Sequence, residues 1–170
     1  MNEKECRAIY REAFRDPDKE FENRLFSLCG KYCRTYLCGE KTAAMLLALP
    51  CEIFTEREKI KAFYIYAAAT KRIYRSSGYM SRLIDSLKDE DIPLFLKPAD
   101  DGLIAFYEKL GFKAFSASTG KINICRAVPT GGFKALAQTE KTQENFKYTA
   151  MYYYKRRLEL DNMYFPYIMD

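Results

Sequence analysis

Apolar residues at helical spacing open the chain. Cys6, Ile9, Tyr10, Ala13 and Phe14 form one stripe, and Asp16 and Pro17 end it. Phe21, Leu25, Leu28, Cys29 and Tyr32 form a second. The period then changes. Arg34 to Cys38 and Lys41 to Pro50 flank Gly39 and Glu40, the pattern of a β-hairpin with an almost wholly apolar second strand, which Glu52 to Phe54 can extend. Lys61 to Thr70, a continuous run of aromatic, β-branched and small residues, predicts a strand buried on both faces. A polar loop, Lys71 to Gly78, leads into a helix with Met80, Leu83, Ile84 and Leu87 on one face. Ile92 to Leu96 reads as a short strand stopped by Pro98. Asp100 or Asp101 can cap a helix beginning near Gly102, whose apolar face is Leu103, Phe106, Tyr107 and Leu110, and Gly111 supplies its stop.

Lys113 to Ser118 and Lys121 to Cys125 flank Thr119 and Gly120, which predicts a second hairpin. Pro129 to Gly132 marks a shift in composition and divides a domain, residues 1–126, from an extension, residues 127–170. The extension is expected to hold a tyrosine-rich helix, roughly Gln143 to Leu160, with Phe146, Tyr153, Tyr154 and Leu158 at near-helical spacing. An aromatic tail follows, in which Tyr164 to Ile168 adds a strand to a sheet edge. It is too aromatic for a free linker, so it is expected to dock on the domain or on a partner subunit, as in a homodimer, and to help wall a binding site there. The order of helices and strands predicts a mixed α/β fold.

Composition narrows the chemistry. At 170 residues, with 48% hydrophobic and 30% charged, one globular domain is expected. The chain has no histidine. Ser-His-Asp and Cys-His nucleophile systems, His-ligated zinc and His-based acid/base catalysis are therefore excluded, leaving Tyr, Cys, Lys, carboxylates, backbone or a cofactor. The net charge of +5 suits a phosphate-bearing small ligand as well as a nucleic acid, and falls short of a concentrated basic stripe. Tyr152 to Tyr154 followed by Lys155 to Arg157 pairs aromatics with cations, as nucleic-acid binding does, but a helix with one aromatic and one basic face explains it more simply. The longest apolar runs, Ala43 to Cys51 and Ala62 to Ala69, fall far short of the roughly 20 residues a membrane helix needs. The charged N-terminus reads as an amphipathic helix rather than a secretion signal, so a cytoplasmic protein with reduced thiols is expected. Cys29, Cys33, Cys38 and Cys51 lack a Cys-x-x-Cys pair; buried thiols are expected and no metal site.

The passage from strand through polar loop to helix is a device for holding anions, because loop and first-turn N–H groups point outward and the helix dipole favours negative charge. Arg75, Ser76, Ser77 and Gly78 suit such a site, although an ordinary strand-to-helix connection with a surface arginine carries the same local pattern. The wider context decides. Thr70 to Met80 resembles the acetyl-CoA loop of the GNAT N-acetyltransferase superfamily, Arg/Gln-x-x-Gly-x-Gly/Ala, standing here as Arg75, Ser76, Ser77, Gly78, Tyr79 and Met80. Tyr64 to Thr70 looks like the family's central strand. Phe106, Tyr107, Gly111 and Phe112 match its second signature, an aromatic-Tyr-x-x-x-Gly-Phe helix end.

The resemblance covers about residues 1–126. It implies a mostly antiparallel central sheet flanked by helices, to which the spacing read above adds a C-terminal helical extension, and transfer of acetyl from acetyl-CoA to the amine of a small molecule or peptide. It further implies that Ala68, Ala69 and Thr70 offer backbone groups to the pantetheine arm. Arg75 and the run Ser76, Ser77, Gly78, Tyr79, Met80 and Ser81 would cradle the pyrophosphate, and Tyr107 would protonate the departing thiolate. Met80 stands where the family has glycine or alanine, Ser76 where the first loop glycine is usual, and Asp100 where many members carry asparagine. The family's first strand is absent. The strands Lys61 to Thr70 and Ile92 to Leu96 carry no carboxylate; Glu52, Glu159, Asp161 and Asp170 are candidates without motif support, so no base is assigned. On its own, Tyr107 reads as packing on an apolar stripe. A non-catalytic acyl-CoA-binding or regulatory module on the same fold is the other reading.

Overall fold

The computed structural model describes residues 2–55, 57–118, 126–137 and 147–156. The first stripe forms α1 (Glu3–Phe14), capped by the Asn2 side chain and stopped at Arg15 in the left-handed region. The second forms α2 (Lys19–Cys29), capped by Asp18, and a 3-10 turn at Gly30–Tyr32. Buried Glu22 ties the two helices together, accepting from Arg11 at 2.7 Å and from Arg7 at 3.1 Å. The Arg11 guanidinium holds the Glu22 carboxyl below the usual carboxylate range.

The predicted hairpin is β1 (Cys33–Cys38) and β2 (Lys41–Phe54), and β3 (Lys59–Thr70) pairs antiparallel along the other edge of β2. After α3 (Tyr79–Lys88), the three-residue β4 (Leu94–Leu96) lies parallel to β3. Asp100, of the two aspartates considered, caps α4 (Asp101–Lys109). There follow β5 (Lys113–Ser118), β6 (Arg126–Pro129), α5 (Gly131–Ala137) and β7 (Lys147–Tyr153). One mixed, mostly antiparallel sheet runs β1, β2, β3, β4, β7, β5, with β6 paired to the end of β2 at Cys51 to Phe54.

Side-chain alternation along β2 separates two cores. Met45, Leu47, Leu49, Cys51 and Ile53 pack toward α1, α2 and α5. Ala44, Leu46 and Ala48 pack toward α3 and α4. Helices thus cover both faces of the sheet, and the apolar run of β2 is the sequence mark of that enclosure. β3 was expected to be buried on both faces, yet Tyr66, Ala68 and Thr70 are only half-buried. They border the cavities described below.

The sheet runs across the boundary drawn at 126/127. β6 pairs with β2, β7 lies between β4 and β5, and Phe133 and Leu136 of α5 are fully buried. Residues 147–153 are strand, correcting the helix expected over Gln143 to Leu160. The slot between β4 and β5 offers backbone partners on both sides of this segment, and that pairing overrides a near-helical spacing of aromatics. The hairpin arm Lys121 to Cys125 and the edge strand Tyr164 to Ile168 lie outside the described residues. Among the described residues no helix is long and apolar enough to cross a membrane.

Candidate active site

The shortness of β4 shapes the site. It pairs with β3 only at Phe63 and Tyr64, so from Ile65 to Thr70 that edge of β3 has no strand beside it among the described residues. β3 also carries one extra residue: Met45 faces Ala69 while Leu47 faces Tyr66. Ala67, with φ of 51°, is in the left-handed region at this bulge. Side-chain parity flips there. Tyr64 and Tyr66 face the core of α1 and α2, as do Ala67 and Ala69, whereas Ala68 turns toward α3 and α4. Backbone polar groups along an unpaired, bulged edge are available to a ligand.

Two cavities flank this stretch. The first, about 560 Å³, is walled by Ala68, Ala69 and Thr70 of β3, by Arg75, Ser76, Gly78, Tyr79, Met80 and Ser81, and by Tyr107 of α4. Of the positions to which the resemblance gives a cofactor-binding or catalytic role, only Ser77 is missing from this wall. Ala13, Tyr74, Leu103 and Phe106 complete it, and the sequence reading did not assign them. Gly78 adopts φ of 75°, and among the described residues no side chain caps the α3 N-terminus behind it. First-turn N–H groups left in this way, at the positive end of the helix dipole, stabilise an anion. Ser76, in place of the family's glycine, itself takes φ of 62°, the conformation a glycine adopts freely. The Met80 side chain packs into the core between α3 and α4.

The loop is held from two sides. Glu12 of α1 accepts from the Arg72 N–H. The Tyr79 hydroxyl donates to Cys38 Sγ at 3.2 Å, and its ring stacks on Tyr36 with centroids 5.3 Å apart. Arg75 Nε donates to the Thr70 carbonyl at 3.3 Å. Asp100 is occupied as the α4 cap, accepting from the Leu103 N–H at 3.1 Å, and borders neither cavity.

The second cavity, about 530 Å³, lies at the C-terminal end of α1. Tyr10, Phe14, Arg15 and Asp16 border it, with Tyr64, Tyr66 and Ala67 of β3 and Lys97 beyond β4. Ala68, Leu103 and Tyr107 border both cavities, which places Tyr107 where the two spaces meet. Its ring is 7% exposed and packs edge-on against Phe106 and Phe112. Burial pushes its phenol up to about 12, so the hydroxyl keeps its proton at neutral pH. Packing and a place in the site therefore coincide in this residue.

The other candidates go elsewhere. Glu52 pairs with Lys59 at 2.7 Å, opposite Val128 of β6, and borders neither cavity. Glu159, Asp161 and Asp170 lie outside the described residues. Cys6, Cys29, Cys33 and Cys51 are buried thiols, and burial raises Cys29 to about 11. Among the described residues no group of three His, Cys, Asp or Glu side chains is placed to hold a metal. Tyr152 stacks on Phe95 across the sheet, so it belongs to the strand's packing.

Comparison with known proteins agrees with this architecture. The Acetyltransferase (GNAT) domain family matches residues 2–115. No curated protein matches the chain. Among solved structures, it is similar to a GCN5-related N-acetyltransferase from Anabaena variabilis, with TM-score 0.57, 22% identity, and coverage of 69% of this chain and 31% of that one. A GCN5-related N-acetyltransferase from Kribbella flavida gives TM-score 0.56 at 14% identity, covering 66% of this chain and 32% of that one. The chain therefore spans about a third of the length of these relatives. Tetrahymena GCN5 matches over 96% of this chain and 87% of its own, with TM-score 0.51 and 17% identity. These likenesses show the fold. With a family match over more than half of its residues, the chain belongs to the GNAT acetyltransferase family.

Proposed function

We infer that the chain binds acetyl-CoA along the first cavity and transfers the acetyl group to an amine presented from the second. The observation that carries this reading is the meeting of the two cavities at Ala68, Leu103 and Tyr107, beside an unpaired and bulged stretch of β3. Ala68, Ala69 and Thr70 supply backbone N–H and C=O groups where an amide-bearing pantetheine arm lies as an added strand. The α3 N-terminus, from Gly78 to Ser81, holds the pyrophosphate, with Arg75 as the nearby cation. Acetyl-CoA supplies an activated thioester whose thiol must leave.

Tyr107 stands at the junction to hydrogen-bond the departing sulfur. With its phenol near 12 and a thiol reference near 8.5, complete proton transfer is uphill by about 4 to 5 kcal/mol. Stabilising thiolate charge by donation, with the proton retained, is the role its environment favours. Most of the remaining rate comes from holding donor and acceptor together.

A non-catalytic acyl-CoA-binding module has no use for a second cavity against the same tyrosine, and that cavity favours transfer. The acceptor is a small-molecule or peptide amine. The buried thiols fit a reducing, cytoplasmic setting. Loss of thioester absorbance from acetyl-CoA, followed across a panel of amines, tests the reading. Amine-dependent consumption is expected; coenzyme A binding without turnover on any amine would favour the binding module.

A further inference from the structure

Helix α1 carries two carboxylates, Glu5 and Glu12, that the acyl-transfer reading does not use, two turns apart on one face. Glu5 accepts from the Thr42 N–H at 2.9 Å and from the Thr42 hydroxyl at 2.6 Å, where β2 begins. Beside it the Lys71 N–H donates to the Ala43 carbonyl at 2.9 Å, which fixes the start of the cofactor loop to the same end of β2. Glu12 accepts from the Arg72 N–H, 60 residues away in the chain. Arg72 to Tyr74 form a 3-10 turn, closed by the Tyr74 N–H on the Lys71 carbonyl at 2.8 Å, and Lys71 supplies no side-chain cap. The Arg72 N–H is therefore a first-turn donor with no partner inside its own turn, and Glu12 provides the acceptor. This turn delivers Tyr74 and Arg75 into the wall of the first cavity. The end of α1 walls both cavities: Ala13 borders the first, and Tyr10, Phe14, Arg15 and Asp16 border the second. Glu12 lies within that stretch and borders neither.

We propose that Glu12 is a positioning residue for the cofactor loop, and that the same bond passes cofactor binding on to the end of α1 that walls the second cavity. This rests on the reading of the first cavity as the coenzyme A site. A carboxylate held beside an anion loop disfavours the ligand by its charge, so what Glu12 contributes is order in the backbone it fixes. With the Arg72 N–H engaged, the 3-10 turn is formed in advance and the ligand does not bear the cost of ordering it. By linkage the effect is mutual: a ligand that holds the turn also holds Glu12, and with it the last turn of α1. Cys6, Ile9 and Tyr10 are buried and hold the rest of the helix in the core, so the part that responds is the end beyond Tyr10.

Two variants separate the hydrogen bond from the charge. Glu12→Ala removes the acceptor, whereas Glu12→Gln keeps an amide oxygen in its place without the charge. Coenzyme A affinity is measured by titration calorimetry for the wild type and both variants, with the Tm of each unliganded protein. Glu12→Ala is expected to lose about 10-fold in affinity, the scale of one hydrogen bond to a charged acceptor, with Tm within about 2 °C of the wild type. Glu12→Gln is expected to restore affinity to within about 3-fold of the wild type. Backbone amide exchange over residues 10–16 reads the coupling. Coenzyme A is expected to slow it about 5-fold in the wild type and to leave it unchanged in Glu12→Ala. Equal losses of affinity in both variants, or none in Glu12→Ala, overturn the positioning role. Exchange that coenzyme A leaves unchanged in the wild type, or slows equally in Glu12→Ala, overturns the coupling. Either result leaves the cofactor site standing. A wild type that does not bind coenzyme A overturns that site and this inference with it.

Discussion

Tyr107→Phe is expected to lower kcat for acetyl transfer by about 10- to 1,000-fold while leaving coenzyme A affinity and Tm nearly unchanged. The phenylalanine ring keeps the edge-on contacts to Phe106 and Phe112, at centroid distances of 5.1 and 5.6 Å, so the α4 packing survives. Only the hydroxyl is lost, from a residue that borders both cavities. A hydrogen bond to a charged sulfur is worth about 1.5 to 3 kcal/mol, within the range of the expected rate loss. Steady-state kinetics at saturating acetyl-CoA make the measurement. If Tyr107 only packs, kcat is untouched, and a mutant with full turnover removes the residue from the mechanism without disturbing the fold.

The second large effect concerns stability. Gly132→Ala places a Cβ 2.0 Å from the Leu28 carbonyl oxygen and 2.9 Å from its carbon. Both atoms are backbone at the end of α2, so neither can swing aside as a side chain would. α5 must lift off α2, drawing Phe133 and Leu136 out of the core that they share with Leu25 and Phe26. The cost is expected to be about 3 kcal/mol or more, at the upper end for overpacking. For a chain of this length that lowers Tm by roughly 6 to 12 °C. A single cooperative transition shifted down in urea or heat makes α5 part of the folding unit. An unchanged midpoint would mean that α5 docks independently of the rest.

The anion loop and β7 differ in how far the sequence reveals them. The anion loop is a local device: the left-handed Gly78, the uncapped first turn of α3 and the residues on either side all lie within a dozen positions, so their pattern is readable from the chain. The strand β7 is not local. Its conformation depends on a slot between β4 and β5, and nothing in its own alternation of tyrosines distinguishes a filled slot from a helical face. The second cavity was hidden for the same reason. It exists because β4 stops after Leu96 and β3 bulges at Ala67, both matters of register between distant strands. Tyr10 and Phe14 therefore read as core stripe, and Asp16 as a helix stop, until the fold sets them against β3 in the wall of one cavity.

Thermal unfolding with and without coenzyme A tests the central claim most directly, because it needs no knowledge of the acceptor. If the α3 N-terminus and the open edge of β3 hold the ligand, the wild type gains about 2.7 kcal/mol of stability at a hundredfold excess over Kd. Gly78→Pro should abolish the gain, since proline fixes φ near −65° where the loop requires 75°. A folded wild type whose Tm does not move in millimolar coenzyme A would contradict the account.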